Sequence, residues 1–436
     1  MIQQPCRIWL KYSKELVMPT EKVSIIHYAG PPIIGGVEST IFHHTRMLNE
    51  LGYPIQLLAG RGAKFLDNVP FIKLELLDSR HPEIMEVGKE LSEGRVSDHF
   101  KLLKQELIKE LSSVLAESQV NIVHNAVTLH KNMPLTAALN ELCEGGLSLI
   151  AWCHDFAWKD ELYVSDLHPG YPWELLSSPW ANTEYVTVSE DRREKLAKLL
   201  NIPEEMVRVI TPGVDYAEFL RISEDVQQIA DRYHLLEAAP LIILPARITR
   251  RKNIEYAIRV MFHLIKEMPD AHLLITGPPG PHNPTNLEYL QQLLDLRDSF
   301  QLDEAVHFIY ELGTLESPFL LTEQQVAQLY QIADILLFPS KREGFGIPVL
   351  EAALARIPVF AANIPPIQES SDGYAHVFEP NGDPKSTAQA IRLYIEANSE
   401  YALRKRVLNQ FTWQAILNKS ILPLIQKVAQ HEKYSS

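Results

Sequence analysis

Two glutamates stand eight residues apart in Lys341-Arg342-Glu343-Gly344-Phe345-Gly346-Ile347-Pro348-Val349-Leu350-Glu351, directly behind the apolar run DILLFPS. The order reads as strand, glycine loop, helix. Gly344 and Gly346 let the backbone approach a ligand closely, Pro348 suits the first turn of a helix, and the free N–H groups there favour an anion such as a phosphate. Glu343 sits ahead of the loop, placed to meet a polar group beyond the phosphate. Glu351 lies one turn into the helix, within reach of vicinal hydroxyls. Such a site would hold a sugar, a diphosphate and a ribose in line. The plainer alternative is that Glu343 caps the helix and Glu351 faces solvent; spacing alone leaves both open.

Arg247-Ile248-Thr249-Arg250-Arg251-Lys252 packs four cations into six residues after the strand-like run LIILPA. Arg grips phosphate oxygens bidentately and Lys supplies a compact charge, so Arg247 and Lys252 suit a departing diphosphate. A solvated turn with salt bridges to nearby acids is the alternative. His154-Asp155 ends the run SLIAWCHD, where the aromatics Trp152, Phe156 and Trp158 could wall a sugar pocket, although His27, His124 and His130 end other runs and compete for the same role. Gly35-Gly36 opens a helix near Val37 but does not meet the G-x-G-x-x-G pattern, so a nicotinamide cofactor gains no support. No two aspartates are two residues apart, which removes the D-x-D clamp for a metal diphosphate. No divalent metal and no other cofactor is expected.

These groups need a scaffold. From Val23 the chain alternates apolar runs with helical patterns: VSIIHYAG, a helix Glu38–Leu51, YPIQLLAG, FIKLELL, a helix Asp98–Glu117, VNIVHNAV, SLIAWCHD, EYVTVS and VRVI, ending at Thr211-Pro212-Gly213. Alternation restarts at LIILPA, then a helix Asn253–Met268, HLLITG, a Pro-rich loop at 278–284, VHFIY, DILLFPS and PVFAAN. That order marks parallel sheets with crossover helices. The expected fold is α/β, with two doubly wound Rossmann-like domains facing across a cleft onto which strand carboxyl ends open. The expected division is an extension 1–21, a domain 22–215, a domain 216–410, and a segment 411–436 whose amphipathic FTWQAILNKSILPLIQKV returns to the first domain.

The 436 residues are 46% hydrophobic and 22% charged, with net charge −14. This is an ordinary globular composition, and it opposes a nucleic-acid backbone as main partner. Cys6, Cys143 and Cys153 form no framework, and no run reaches membrane-spanning length, so a cytoplasmic protein without integral membrane association is expected. Residues 1–215 carry 21 Lys plus Arg against 29 Asp plus Glu. The stretch Asp98–Glu117 is charge-balanced, which favours a small soluble acceptor over a lipid one. A small basic patch at Arg192-Arg193-Glu194-Lys195 with Lys198 is the opposing signal.

Taken together, these residues resemble the retaining glycosyltransferases of the GT-B fold, glycosyltransferase family four. EGFGIPVLE is similar to the family's E-x7-E signature, and Arg247 with Lys252 to its R-x4-K pair. The GG loop, the TPGVD turn, DILLFPS and FTWQAI extend the likeness over roughly residues 22–430. One departure is LPAR, where many members have glycine before the Arg. The resemblance implies a sugar nucleotide held mainly by the C-terminal domain and an acceptor held mainly by the N-terminal one, with retention and no metal. It places Glu343 on the hexose hydroxyls, Glu351 on the ribose, Arg247 and Lys252 on the diphosphate, and Gly344, Phe345, Gly346 and Ile347 around the donor. Gly36 would lie near the diphosphate in a closed state, and His154 on the hexose near the reacting carbon. YAGPPIIGGVES and HNAVTLHKN look most like enzymes that build mannosylglucosylglycerate-type solutes. GDP-mannose is the first expected donor and UDP-glucose the second. A non-catalytic nucleotide-sugar sensor, a lipid- or polysaccharide-directed transferase and an epimerase are the alternatives.

Overall fold

The computed structural model describes residues 19–280, 285–314, 317 and 319–435. Cys6, most of the expected extension 1–21 and residues 281–284 of the Pro-rich loop lie outside them. The chain divides into two compact units, one running to Gly213 and resuming at Trp413, the other spanning Val214–Thr412.

The N-terminal unit is a seven-stranded sheet of β1 (Val23–Ala29), β2 (Ile55–Arg61), β3 (Phe71–Lys73), β4 (Val120–His124), β5 (Leu149–Cys153), β6 (Thr183–Thr187) and β7 (Val207–Val209). All pairs are parallel, in the order β3-β2-β1-β4-β5-β6-β7. Side chains alternate between two buried layers. Ile25, opposite both Leu57 and Ile122, faces one core, while Ile26, opposite Leu58 and Val123, faces the other. Near-continuous apolar runs follow from this double burial.

The helices cover the sheet for local reasons. In Asp98–Leu115 the Ser97 hydroxyl accepts the Phe100 N–H, and Phe100, Leu103, Leu107, Leu111 and Leu115 make one buried stripe. The C-terminal segment brings Trp413, Ile416, Leu417, Ile421, Leu424, Ile425 and Val428 into the core that holds Ile25. Its wide turn at Leu417–Ile421 precedes Pro423, which has no N–H to give a regular helix. Gly213 must be glycine because a Cβ there would lie 2.8 Å from the Trp413 nitrogen.

The C-terminal unit repeats the plan with six parallel strands, β8 (Leu241–Leu244), β9 (His272–Ile275), β10 (Val306–Phe308), β11 (Ile335–Phe338), β12 (Val359–Ala362) and β13 (His376–Phe378), ordered β10-β9-β8-β11-β12-β13. In each unit the strand order reverses once, between β1 and β4 and between β8 and β11. Loops leaving adjacent strands there turn to opposite faces and open a crevice at the carboxyl ends.

Two expected elements change, and two further ones were not foreseen. FIKLELL stays in the ladder only through Lys73, then turns at Glu75–Leu77 toward Asp78, which takes the Arg61 guanidinium at 2.7 Å. The helix expected over Asn253–Met268 runs Ile254–Leu264, because Asn253 is left-handed at φ 54°. The helix Pro82–Ser92 and strand β13 were not anticipated; β13 is three residues with a largely exposed face, so it carries no apolar alternation.

Candidate active site

The C-terminal crevice is built by the loops after β8 and β11. Behind β8 the chain makes a tight turn, Arg250–Lys252, closed by Asn253. Asn tolerates the left-handed conformation. The buried Asn253 side chain uses its freedom from capping to donate to the carbonyls of Pro339 and Pro380, both at 3.0 Å. One amide therefore ties together the loops after β8, β11 and β13. The Lys341 N–H donates to the Arg251 carbonyl at 2.9 Å, closing the same seam.

This seam sets the charges. Lys252 Nζ donates to Glu343 Oε1 at 2.6 Å, with side-chain exposures of 10% and 9%, and Arg251 reaches Glu343 Oε2 at 3.3 Å. The ammonium also lies 4.9 Å from the Phe338 ring centre. Burial pulls the Lys252 pKa down, opposed by its bond to Glu343. The E-x7-E and R-x4-K residues thus meet directly: Glu343 neither caps the helix nor stands apart from Lys252. Arg250 donates to Gln292 and lies over the Tyr289 ring, so part of the cluster does bridge to neighbours. Arg247 is exposed and forms no ion pair among the described residues. Its backbone is pressed by Gly277, where a Cβ would fall 2.2 Å from the Ala246 carbonyl oxygen and 2.7 Å from the Arg247 nitrogen. Gly277 in the run HLLITG is therefore a site residue that sequence reading passed over.

The glycine loop divides by function. Gly346 has φ 99° and precedes the helix Ile347–Leu354, and a Cβ there would come 2.7 Å from Ile367 Cδ1. Packing and backbone both demand glycine. Around Gly344 no atom lies within 4 Å of a built Cβ, so the space above it is open. Phe345 and Ile347 are exposed beside it. Glu351 is exposed, yet its Oε2 accepts the Tyr330 hydroxyl at 2.9 Å, and burial with that carboxylate pushes the Tyr330 pKa up. Two hydroxyls at the strand ends, Ser340 and Thr249, are buried without a hydrogen-bond partner among the described residues. Neither was signalled by the sequence, since serine and threonine carry no spacing rule.

The N-terminal crevice has different chemistry. His27, at the β1 end, hydrogen-bonds through Nδ1 to the His124 carbonyl at 2.9 Å; the carbonyl only accepts, so His27 carries its proton at Nδ1. His124 Nδ1 lies 3.1 Å from His154 Nε2. His44 packs against Trp152 and Trp413. Burial lowers all four pKa values, His27 and His154 to about 4, His44 to about 3 and His124 well below its ordinary value. His154 and two of its competitors, His27 and His124, therefore form one cluster, joined by His44, which the sequence reading did not single out. His130 stands apart from that hydrogen-bonded chain, beside Tyr163 and 3.8 Å from Asp166.

The helix after the GG loop starts at Gly36, with Gly35 as its cap. Glu38 folds its carboxylate back over Gly35, so this helix end already faces a negative charge. Gly36 itself has open space where a Cβ would stand. Cys143 and Cys153 are free, buried thiols pushed up to about 12, which makes them unreactive. Among the described residues no group of three His, Cys, Asp or Glu could hold a metal ion, and no helix is long and apolar enough to cross a membrane.

Two family models match the chain in tandem: Glycosyltransferase Family 4 over residues 34–218 and Glycosyl transferases group 1 over residues 225–409. The chain belongs to glycosyltransferase family four. The break between the two matched stretches, 218 to 225, falls just beyond the change of unit at Gly213. An uncharacterized glycosyltransferase of Methanocaldococcus jannaschii is 27% identical over 60% of this chain and 64% of its own length, so the match spans under two thirds of that relative. A mannosylglucosylglycerate synthase of Thermotoga maritima is 23% identical over 78% of this chain and 79% of its own. A solved glycosyltransferase of Rickettsia africae aligns over 94% of this chain and 98% of its own at 16% identity, with a TM-score of 0.35.

Proposed function

We propose that this family-four chain moves a hexose from a sugar nucleotide to a hydroxyl of a small soluble acceptor, with retention of configuration and no metal. The observation that carries the reading is the buried Lys252–Glu343 pair at the β8/β11 crevice, set beside an exposed Arg247 and the open space over Gly344.

Each group has a role in that reaction. The bond from the anomeric carbon to the diphosphate oxygen breaks as the bond to the acceptor oxygen forms on the same face. The acceptor proton passes to the departing diphosphate. Arg247 and Lys252 offset the charge growing there, where fixed donors in a water-poor site act most strongly. Glu343, held by Lys252, accepts from hexose hydroxyls. Glu351, steadied by Tyr330, accepts from the ribose through its second oxygen. By the family resemblance His154 is assigned to the hexose and Gly36 to the neighbourhood of the diphosphate. A hydrolase would instead need two carboxylates flanking one glycosidic bond. Glu343 and Glu351 lie on one loop and helix and grip different parts of one ligand.

GDP-mannose is the first donor and UDP-glucose the second; relatives named mannosylglucosylglycerate synthase favour a glycerate-type or glucosylglycerate-type acceptor. We place the protein in the cytoplasm, a reading supported by its free buried thiols.

A donor panel scored by thermal stabilisation tests the reading, because a ligand that binds only the native state raises its stability. Turnover with the stabilising donor follows, with and without chelator. Donor binding with no product for any acceptor would make the chain a sensor. Activity lost to chelator and restored by Mg²⁺ or Mn²⁺ would overturn metal independence.

A further inference from the structure

We propose that His124 and Asn125, which end β4, are positioning residues for His154: Asn125 fixes its backbone and His124 its tautomer, so that His154 presents a permanent Nδ1–H donor. The inference deepens the reading of His154 as a hexose contact and rests on it for its kinetic consequence only.

The backbone half is a matter of Asn geometry. Asn125 is left-handed, at φ 59°, and its N–H donates to the Trp152 carbonyl at 2.9 Å, carrying the β4/β5 ladder one residue past the strand. The turn throws its Oδ1 across the end of β5, where it accepts the N–H of His154 at 2.8 Å and of Asp155 at 3.2 Å. From the other side the Thr128 hydroxyl donates to the Asp155 carbonyl at 2.7 Å. The His154–Asp155 turn is thereby held at both its donors and its acceptor. Asn125 is 5% exposed, so water does not compete for these bonds.

The imidazole half follows from proton accounting. His124 is fully buried, stacked on Trp152 with ring centres 5.6 Å apart. Its Nε2 is buried with no partner among the described residues, and its Nδ1 faces His154 Nε2. One of those two facing nitrogens must carry a proton. If His154 supplied it, the neutral His124 ring would hold its own proton at Nε2 and bury an unmet N–H. With the proton at Nδ1, the donor is used and only a lone pair goes unmet, the less costly and more common defect. His124 therefore donates, His154 Nε2 accepts, and the one proton of neutral His154 sits at Nδ1. Protonation of His124 is opposed by burial and by the histidines around it, His154, His44 of the helix Gly36–Glu50 and His27 of β1, and protonation of His154 is opposed by burial. Asp155 pulls the other way on His154, while Lys131 and Arg61 act on His27 against a charge.

A fixed donor matters because a sugar hydroxyl can donate or accept, whereas a diphosphate or ring oxygen only accepts. With the tautomer set in advance, His154 need not reorganise when the ligand arrives.

Nitrogen NMR of the full chain with labelled histidine tests this directly. At pH 7.5 His154 should show a protonated Nδ1 and a pyridine-type Nε2, with no titration until near pH 4. In His124→Phe it should sample both tautomers, while its titration stays low because the Phe ring keeps the site buried. In the same variant kcat should fall about 10-fold with little change in nucleotide KM. Asn125→Ala should lower kcat similarly while leaving the His154 tautomer in place. A wild-type His154 protonated at Nε2, or charged at pH 7.5, overturns the proposal even if no variant folds. So does an unchanged His154 spectrum in folded His124→Phe. Absence of turnover with every donor would instead overturn the transferase reading, since the wild-type spectrum judges the tautomer alone.

Discussion

The two crevices share one architecture and opposite electrostatics. At β8/β11 the strand ends carry full charges held in contact, Lys252 and Arg251 on Glu343, with Arg247 exposed beside them. Around β1/β4 lie the buried His27, His124 and, on the helix Gly36–Glu50, His44, with the half-buried His154 after β5, all kept neutral. The difference teaches that a doubly wound sheet supplies the location and leaves the chemistry to a few loop residues. Ionic groups suit a ligand that carries negative charge, and neutral hydrogen-bonding rings suit an uncharged polar one.

The sharpest way to break this contrast is to remove the charges. Arg247→Ala and Lys252→Ala should each lower turnover about 10²-fold or more. They should part on stability. Arg247 is exposed, so its loss should leave Tm unchanged, whereas Lys252→Ala leaves the buried Glu343 carboxylate with only the more distant Arg251, at a cost of about 1–3 kcal/mol. Equal Tm values for the two variants would remove the pairing from the account.

The neutral crevice is probed by pH. A buried histidine with a folded pKa below its unfolded value of about 6.5 binds fewer protons in the native state. Its contribution is complete above pH 6.5 and is lost as pH falls toward the folded value, about 3 for His44 and about 4 for His27 and His154. Between pH 7.5 and 5 each such histidine should cost the N-terminal unit about 2 kcal/mol. All six tryptophans lie in the stretches assigned to that unit, so urea unfolding followed by tryptophan fluorescence reads it selectively. His44→Phe should shrink the pH-dependent loss by one such step; an undiminished loss would mean His44 is not the neutral group it is taken for.

Within the charged crevice, two glycines make a finer contrast. Gly346→Ala forces a side chain into a positive φ and against Ile367, and should destabilise the C-terminal unit by about 1–3 kcal/mol. Gly344→Ala meets no protein atom within 4 Å and should leave stability alone while weakening the donor. The smallest effect is expected for Tyr330→Phe. Losing the hydroxyl that holds Glu351 should weaken nucleotide binding about 5-fold, a single hydrogen bond's worth, measured by titration calorimetry. Unchanged affinity would mean that Glu351 needs no support.

The legible parts of this molecule are those carried by local rules. The seven runs of the first half and five of the second became strands because apolar residues buried on both faces read as continuous runs. Glu343, Glu351, Arg247 and Lys252 stand out in the sequence as candidates because charge and glycine at strand ends have few structural uses. His154 was singled out by its place, but His27, His124 and His130 fitted equally well until the fold joined His27 and His124 to it, added His44 and left His130 apart. Gly277, Asn253 and Asn125 escaped notice. Their importance lies in backbone approaches and side-chain bonds to residues 29 to 127 positions away, and no spacing rule reports those.

The amino-acid sequence by itself determined the alternation of strand and helix, the two-unit division and the chemical types available at the strand ends, because each depends on periodicity and composition within some tens of residues. The tertiary structure alone decided which of those groups touch. Lys252 meets Glu343 because β8 and β11 are neighbours at the reversal of strand order, 91 residues apart along the chain. His124 meets His154 because β4 and β5 pair in register, so that the proton on one ring is set by burial of the other.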